Sequence, residues 1–316
     1  MKFQAIGYDE TVYSLPEATE WTLRYGLGSP CDSFEVACLW ERGQERALAG
    51  AVRFLAEEGG RRMFTGVVDE YACVRDGQGS CLELSGRGMQ ALLLDNQALP
   101  VEYQWATAKD IIGRHVTPYG IPLAGGCALE AVRGFSVSAG QSEWGVVHDF
   151  ACCRGGIVPR FDREGRLVLS PWDDSVRRRL GDGAAVTQLR YRDRRYGVLS
   201  QVVVRDRSRN YAQTVDDRDF QAKGGRCRRV VSVPKDTGTP AMRFSGEYQL
   251  RASRSERETV EVTVAEGFAA WPGELMEVAL SGFGGNGLYR VRESVVSLDG
   301  RGLSTRLTLG PTDVLV

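Results

Sequence analysis

The sequence has few of the residues on which many active sites depend, and it has no long apolar run. Only two histidines, His115 and His148, occur among 316 residues. This scarcity disfavours histidine-based catalysis and multi-histidine metal sites. The longest aliphatic run, 91–94, is far shorter than the roughly 20 residues of a membrane span. The start of the chain lacks the apolar core of a secretory signal peptide, so we expect no secretion by that route.

Cysteine is also sparse and irregularly placed, with eight residues and no C-x-x-C pair. The combination most suggestive of metal binding is His148, Cys152 and Cys153 with Cys127, but it lacks the paired spacing of structural zinc sites. The glycine motif 282–287 precedes a strand pattern, whereas a dinucleotide-binding motif precedes a helix. We therefore predict no catalytic, cofactor-binding or metal-binding residues.

What the sequence does contain is glycine and short alternating segments. Glycine contributes 38 residues, about one in eight. The segment 33–40 alternates apolar and polar residues, which predicts a half-buried strand. The segments 63–71 and 81–85, joined by a glycine-containing turn, predict a hairpin. A change of period over 87–97 predicts a short helix.

The middle and the end of the chain differ in their patterns. Thr107 can cap a helix that ends before Pro118. A second helix is predicted over 142–153, with Gly155 and Gly156 ending it. The segment 157–170 predicts a small hairpin. After residue 181 the pattern returns to strands separated by glycine and aspartate turns. These predicted strands cover 186–192, 196–206, 228–233, 248–252, 260–264, 274–280, 288–297 and 302–309.

The charges nearly cancel, but they are unevenly distributed. The chain has 40 Lys and Arg against 41 Asp and Glu. Residues 1–60 hold 10 acidic and 5 basic residues, whereas 176–229 hold 15 basic and 6 acidic residues. The basic stretch predicts either a nucleic-acid contact or a subunit interface with a complementary acidic patch. The candidate subunit-interface basic patch consists of Arg190, Arg192, Arg194, Arg195, Arg226, Arg228 and Arg229.

Several segments together resemble the baseplate hub proteins of contractile phage tails. These are Phe64-Thr-Gly66, Ser85-Gly-Arg-Gly88 and Ala91–Asp95, then Ala108–Ile112, Glu143-Trp144 and Asp162-x-x-Gly165-Arg-Leu167, and finally Pro272–Val278, Gly287–Val291 and Thr305–Leu309. The family includes the Mu-type tail hub and the late-control protein D group, and it is related to the hub module of type VI secretion spike proteins. The likeness covers most of the chain in order.

The resemblance implies a mainly β fold with a small α+β module, in which two tail-tube-like β-barrel domains flank a mixed α+β domain. The expected boundaries are 1–98 for the N-terminal barrel, 99–180 for the α+β domain and 181–316 for the C-terminal barrel. The implied function is structural: a homotrimeric ring that joins the hexameric tail tube to the trimeric central spike around an axial channel.

The resemblance also sets expectations for partners and location. The implied partners are further copies of the chain, a tail tube protein and a spike protein, with baseplate wedge proteins or the tape measure as additional candidates. It implies neither a membrane nor a small-molecule substrate. The expected location is the host bacterial cytoplasm during assembly, and then the baseplate of the virion or tail particle.

Two other functions remain open at this stage. One is a cell-wall-active hydrolase, which would need a convergent set of acidic side chains. The other is a nucleic-acid-binding β-barrel protein that uses the arginine-rich region 176–229.

Overall fold

The computed structural model describes residues 1–27, 31–40, 43, 46, 48–77, 79–127, 129–155, 157–206, 211–233, 239–255 and 257–313. Strands hold 49% of the chain and helices 16%, which confirms the predicted mainly β class. The chain forms two compact units. The first holds residues 1–174, 264–272 and 293–306, and the second holds 175–263, 273–292 and the residues from Leu307 onwards. The three-domain division at 98 and 180 stays a prediction.

A large antiparallel sheet forms much of the first unit. Its strands are β1 (Lys2–Gly7), β2 (Val12–Ser14), β3 (Ala18–Gly26), β4 (Ser33–Leu39), β5 (Ala51–Glu58), β6 (Arg61–Asp76) and β7 (Gly79–Gly88), with parts of β19 (Gly287–Asp299) and β20 (Gly302–Gly310). Their order is β2-β1-β5-β6-β7-β4-β3-β19-β20. Among the described residues, the first and last strands of this order do not pair with each other. The structure therefore does not show the closed barrel that was predicted.

The inner face of this sheet is packed with aromatic rings. Alternation along β4 buries Phe34, Val36 and Cys38, as the sequence pattern predicted. The rings of Phe34 and Phe54 stack with centroids 3.7 Å apart. Glycine at 86 makes room for them, since a Cβ there would lie 2.0 Å from the carbonyl oxygen of Val67 and 2.7 Å from the Phe34 ring. The large sheet is therefore closely packed on its inner face.

A small α+β module follows the large sheet in the same unit. It contains α1 (Ala91–Leu94), β8 (Val101–Ala106), α2 (Ala108–His115), a short 3₁₀ helix (Thr117–Tyr119), β9 (Val132–Val137), α3 (Glu143–Gly155), β10 (Arg160–Phe161) and β11 (Leu167–Val168). Thr107 caps α2 in a capping box with Asp110, which confirms the predicted helix start. Gly156, predicted to help end α3, lies outside the described residues.

The second unit contains a further series of paired strands. Its strands are β12 (Arg177–Gly181), β13 (Val186–Asp193), β17 (Glu258–Val264) and β18 (Leu275–Ala279), with the remaining parts of β19 and β20. The order is β13-β17-β20-β19-β18-β12, and β12 runs parallel to β18. Antiparallel pairing of β18 with β19 makes the glycine motif 282–287 part of a hairpin connection, as predicted.

A small sheet in the second unit packs against one long helix. It consists of β14 (Gln201–Asp206), β15 (Ala212–Asp216) and β16 (Arg228–Val233), in the order β15-β14-β16. Helix α4 (Arg218–Ala222) follows β15, and helix α5 (Thr239–Arg254) supplies Met242 and Leu250 to a core with Val202 and Val204.

The strand predicted over 248–252 is wrong, because these residues belong to α5. A five-residue window of alternating residues imitates a strand there. The apolar stripe of the helix is visible only over its whole length, since the buried residues Met242 and Leu250 are eight positions apart.

Candidate assembly surfaces

The basic patch predicted from the sequence divides between two strands of two different sheets. All seven of its arginines are exposed. Arg190 and Arg192 lie on β13, with Arg194 and Arg195 directly after it, while Arg228 and Arg229 lie on β16 and Arg226 just before it. The structure therefore does not join them in one strand or one sheet.

The arginines on and beside β13 are largely compensated by neighbouring carboxylates. Glu261 on β17 lies 3.8 Å from Arg190 and 3.2 Å from Arg192. Asp193 accepts hydrogen bonds from Arg257 at 2.9 Å and from Arg195 at 3.1 Å, and these bonds hold its pKa below the usual value. The guanidinium of Arg194 lies 5.9 Å from the ring centroid of Tyr196. Because their charges are largely balanced within the unit, this group is a weak candidate for binding a partner.

The arginines near β16 donate to neutral acceptors instead. Arg226 donates to the backbone oxygens of Gln221 and Gly225, at 2.9 and 2.8 Å. Arg228 donates to the side-chain oxygen of Gln201, and Arg229 donates to that of Gln249 on α5 at 2.9 Å. Within the part of the chain that the structure describes, none of these three forms an ion pair.

Strand alternation gives the small sheet one covered face and one outward face. Since Val202 and Val204 are buried against α5, the intervening side chains point the other way. The strand registers place three rows across this outward face. We call it the arginine face: Asp216, Gln201 and Arg228; Thr214, Val203 and Val230; Ala212, Arg205 and Ser232.

The arginine face is open to solvent and has an apolar centre. Seven of its nine residues are exposed, the exceptions being the partly buried Gln201 and Val203. Val230, in the middle row, has 58% of its surface exposed. Asp216 accepts hydrogen bonds from Gln201 and Gln221, at 2.7 and 3.0 Å, which lower its pKa. The two arginines of this face, by contrast, have no carboxylate bound to them among the described residues.

The outer face of the large sheet carries four exposed glutamates on four adjacent strands. Glu20 on β3 and Glu83 on β7 both flank Ala37 of β4, while Glu35 on β4 and Glu70 on β6 both flank Ser85 of β7. A shallow groove of about 450 Å³ crosses this surface. We call it the acidic face: Glu20, Glu35, Glu70 and Glu83, with the small residues Thr22, Ala37, Ala72 and Ser85 between them.

The acidic face has almost no internal compensation. Among the described residues, none of its four glutamates forms an ion pair, and the one recorded hydrogen bond is from the Cys81 thiol to Glu83, at 3.8 Å. Sequence reasoning found an acid-rich start of the chain but not this face, because Glu70 and Glu83 lie outside residues 1–60. The alternating patterns show which residues of a strand face outward. They do not show which strands pair, and it is the pairing that brings these glutamates together.

Titratable side chains also form a buried network in the α+β module. His115 Nδ1 lies 2.5 Å from a carboxylate oxygen of Glu143, whose other oxygen accepts from Tyr119 at 3.1 Å. The hydroxyl of Tyr103 lies 3.0 Å from His115 Nε2. His115 is only 1% exposed and Glu143 7% exposed, so both side chains are shielded from solvent. The network therefore links side chains from several elements of the module.

The structure also describes other titratable side chains that the sequence placed close together. Cys152 Sγ lies 3.7 Å from His148 Nε2, and the described residues contain no cluster of three or more His, Cys, Asp or Glu placed to hold a metal ion. Asp217, from an acidic pair in the sequence, caps α4 by accepting from the backbone of Phe220. No helix in the described part of the chain is long and apolar enough to cross a bilayer.

Comparisons with known proteins place the fold. No protein-family model and no curated protein matches the sequence. Among solved structures, a 43 kDa tail protein from prophage MuSo2 of Shewanella oneidensis is similar over 99% of both chains, with 18% identity and a TM-score of 0.80. A tail protein from Neisseria meningitidis MC58 is similar over 98% of this chain and 96% of its own, with 16% identity and a TM-score of 0.75.

A third similar structure comes from a secretion machine. It is the E. coli c3393 protein, a type VI secretion component described as similar in structure to the T4 tail proteins gp27 and gp5. It shares 14% identity over 94% of this chain and 74% of its own, with a TM-score of 0.55. These neighbours confirm at the level of the fold the resemblance drawn from the sequence: the chain has the fold of phage tail proteins.

Proposed function

We propose that this chain is the structural baseplate hub of a contractile tail, whether of a phage, a prophage or a phage-derived bacteriocin. In this role it forms a homotrimeric ring that joins the hexameric tail tube to the trimeric central spike and keeps an axial channel. The observation that carries the proposal is the similarity to a prophage tail protein over 99% of both chains.

Features of the surface and the interior support a role in assembly. The acidic face and the arginine face are solvent-exposed sheet surfaces with opposite charge. The titratable network around His115 and Glu143 is buried and not open to solvent at its centre. In this proposal the two β-rich parts of the chain are tube-like domains on either side of the α+β module. The tail tube and spike proteins are the direct partners, and the protein acts as a non-enzymatic component of the baseplate.

Native mass spectrometry tests the proposal. The protein is measured alone and after co-expression with the products of the neighbouring genes, among which the proposal expects the tube and spike proteins. We expect a trimer in at least one of these samples, and a complex that contains three copies of this chain with three of the spike protein. A chain that stays monomeric in every sample, with no bound partner, contradicts the proposed function.

A further inference from the structure

The glutamates of the acidic face have no ion-pair partners among the described residues. Like charges directly opposite one another destabilise a sheet, and diagonal neighbours on adjacent strands lie within reach of long side chains. Four glutamates occupy this face on four consecutive strands of the sheet, and the described residues supply them with no ion-pair partner. The intervening Thr22, Ala37, Ala72 and Ser85 are short, so a guanidinium from another molecule can approach the carboxylates without a steric barrier.

The arginine face has the complementary properties. Arg205 and Arg228 occupy its two outer rows, and the exposed Val230 lies in the middle row. The opposite side of the small sheet is filled by α5, so the sheet cannot bury Val230 within its own core. An apolar centre bordered by charged side chains is typical of a protein–protein contact.

We propose that the acidic face of one copy of this chain binds the arginine face of a second copy. This inference rests on the proposed homotrimer and specifies which surfaces form it. Because the two faces differ, the contact is heterologous, and such contacts generate rings when the rotation between copies closes. A second copy is the favoured occupant since both complementary faces belong to one chain, whose 40 basic and 41 acidic residues nearly cancel.

A nucleic acid is a poorer occupant of either face. The acidic face repels phosphates. The arginine face offers two arginines and one carboxylate, Asp216, which is far fewer positive charges than a phosphate-binding surface usually presents. Charge complementarity between copies also fixes the register of the contact, which a ring of defined size requires.

Charge reversal on each face tests the contact. One variant carries Glu35→Lys and Glu83→Lys, a second carries Arg205→Glu and Arg228→Glu, and a third carries all four changes in one chain. Sedimentation velocity is measured for each, under the conditions in which the wild-type protein is a trimer. We expect each one-sided variant to assemble at least tenfold more weakly. The four-fold exchange is expected to recover a measurable part of the lost assembly, because it again places opposite charges at these four positions.

Matched controls carry the same charge changes elsewhere. Glu102→Lys with Glu130→Lys, and Arg61→Glu with Lys109→Glu, change exposed side chains outside both faces. These pairs are expected to leave the trimer intact. Thermal unfolding of every variant, followed by circular dichroism, shows whether the chain is folded, and the comparison uses only variants that melt within about 3 °C of the wild type.

The outcomes separate this inference from the proposed function. A trimer that persists in both one-sided variants overturns the pairing of the two faces and leaves the hub role standing. Loss of the trimer without rescue by the four-fold exchange also overturns the pairing. A wild-type protein that forms no trimer, alone or with its partners, contradicts the proposed function itself.

Discussion

The large sheet of the first unit and the small sheet of the second fill their covered faces in different ways. The large sheet encloses a cluster of aromatic rings, with Phe34 and Phe54 stacked at 3.7 Å and glycine at 86 where a side chain would collide with them. The small sheet relies on aliphatic contacts with a single helix, through Met242 and Leu250. The difference teaches that the first core depends on contacts between rings, whereas the second depends on a few aliphatic side chains whose loss would open it. Both cores contain a glycine with no room for a Cβ, Gly86 in the first and Gly246 in the second.

Adding one methyl group to the large sheet is the change with the largest expected effect. In Gly86→Ala the new Cβ would lie 2.0 Å from the backbone oxygen of Val67, which cannot move without disturbing the β6–β7 pairing. We expect the free energy of unfolding to fall by about 3 kcal/mol or more, measured by chemical denaturation. Gly26→Ala is the control, since a Cβ there meets no atom within 4 Å. Equal effects of the two substitutions would contradict the packing described for the inner face.

Removing side-chain atoms from the small sheet should have an intermediate effect. Met242→Ala leaves a cavity beside Val202 and Val204, and we expect a loss of about 2 kcal/mol, because a core covered by one helix can partly collapse. Hydrogen exchange should show reduced protection in β14–β16 and unchanged protection in β3–β7. Phe244→Ala on the same helix, where the ring is 63% exposed, serves as the control and should change stability by less than about 0.5 kcal/mol. Loss of protection throughout the large sheet would show that the two cores unfold together.

The smallest expected effect is a pH dependence at the edge of the large sheet. Asp32 accepts from the Gly26 amide at 2.9 Å, and burial raises the pKa of its carboxyl from 3.8 to about 7. The folded protein therefore keeps a proton that the unfolded chain has already released. This contribution to stability is present below pH 4 and is lost as the pH rises to about 7.

Comparison of the wild type with Asp32→Asn isolates this contribution. Asparagine can still accept from Gly26, but it does not titrate. The stability difference between the two proteins should shift by on the order of 2 kcal/mol between pH 4 and pH 7, a discounted conversion of the pKa change that allows for partial solvent access. Equilibrium unfolding at several pH values measures the shift. A difference that stays constant over this range would show that Asp32 ionises at its ordinary pKa.

Much of the large sheet was predictable because its strands obey simple alternation. The segment 33–40 was expected to bury every second residue, and β4 does so. The hairpin expected from 63–71 and 81–85 is present as β6 and β7, although both strands are longer than predicted. Half-buried strands carry their burial pattern in the local sequence, so no long-range information was needed to find them.

The two proposed faces could not be predicted, because they depend on pairings between distant segments. Glu20, Glu35 and Glu83 are neighbours through the registers of β3, β4 and β7. The basic residues were visible as a composition bias, but the sequence did not show that Glu261 compensates Arg190 and Arg192 while Arg228 has a neutral partner. The sequence thus indicated a basic region. Only the structure shows which of its arginines are neutralised by a carboxylate and which are bonded to neutral groups.

The network around His115 has a mechanical consequence for the α+β module. Tyr103 belongs to β8, His115 ends α2, Tyr119 ends the 3₁₀ helix and Glu143 begins α3, so three consecutive hydrogen bonds tie four elements together. The central bond, between His115 and Glu143, is buried, so a movement that breaks it leaves polar groups where water does not readily replace the lost partner. A load applied to any one of the four is shared by the others, and the module deforms as a stiff body rather than element by element. A stiff module of this kind transmits an applied force to the parts of the protein bonded to it and deforms little itself.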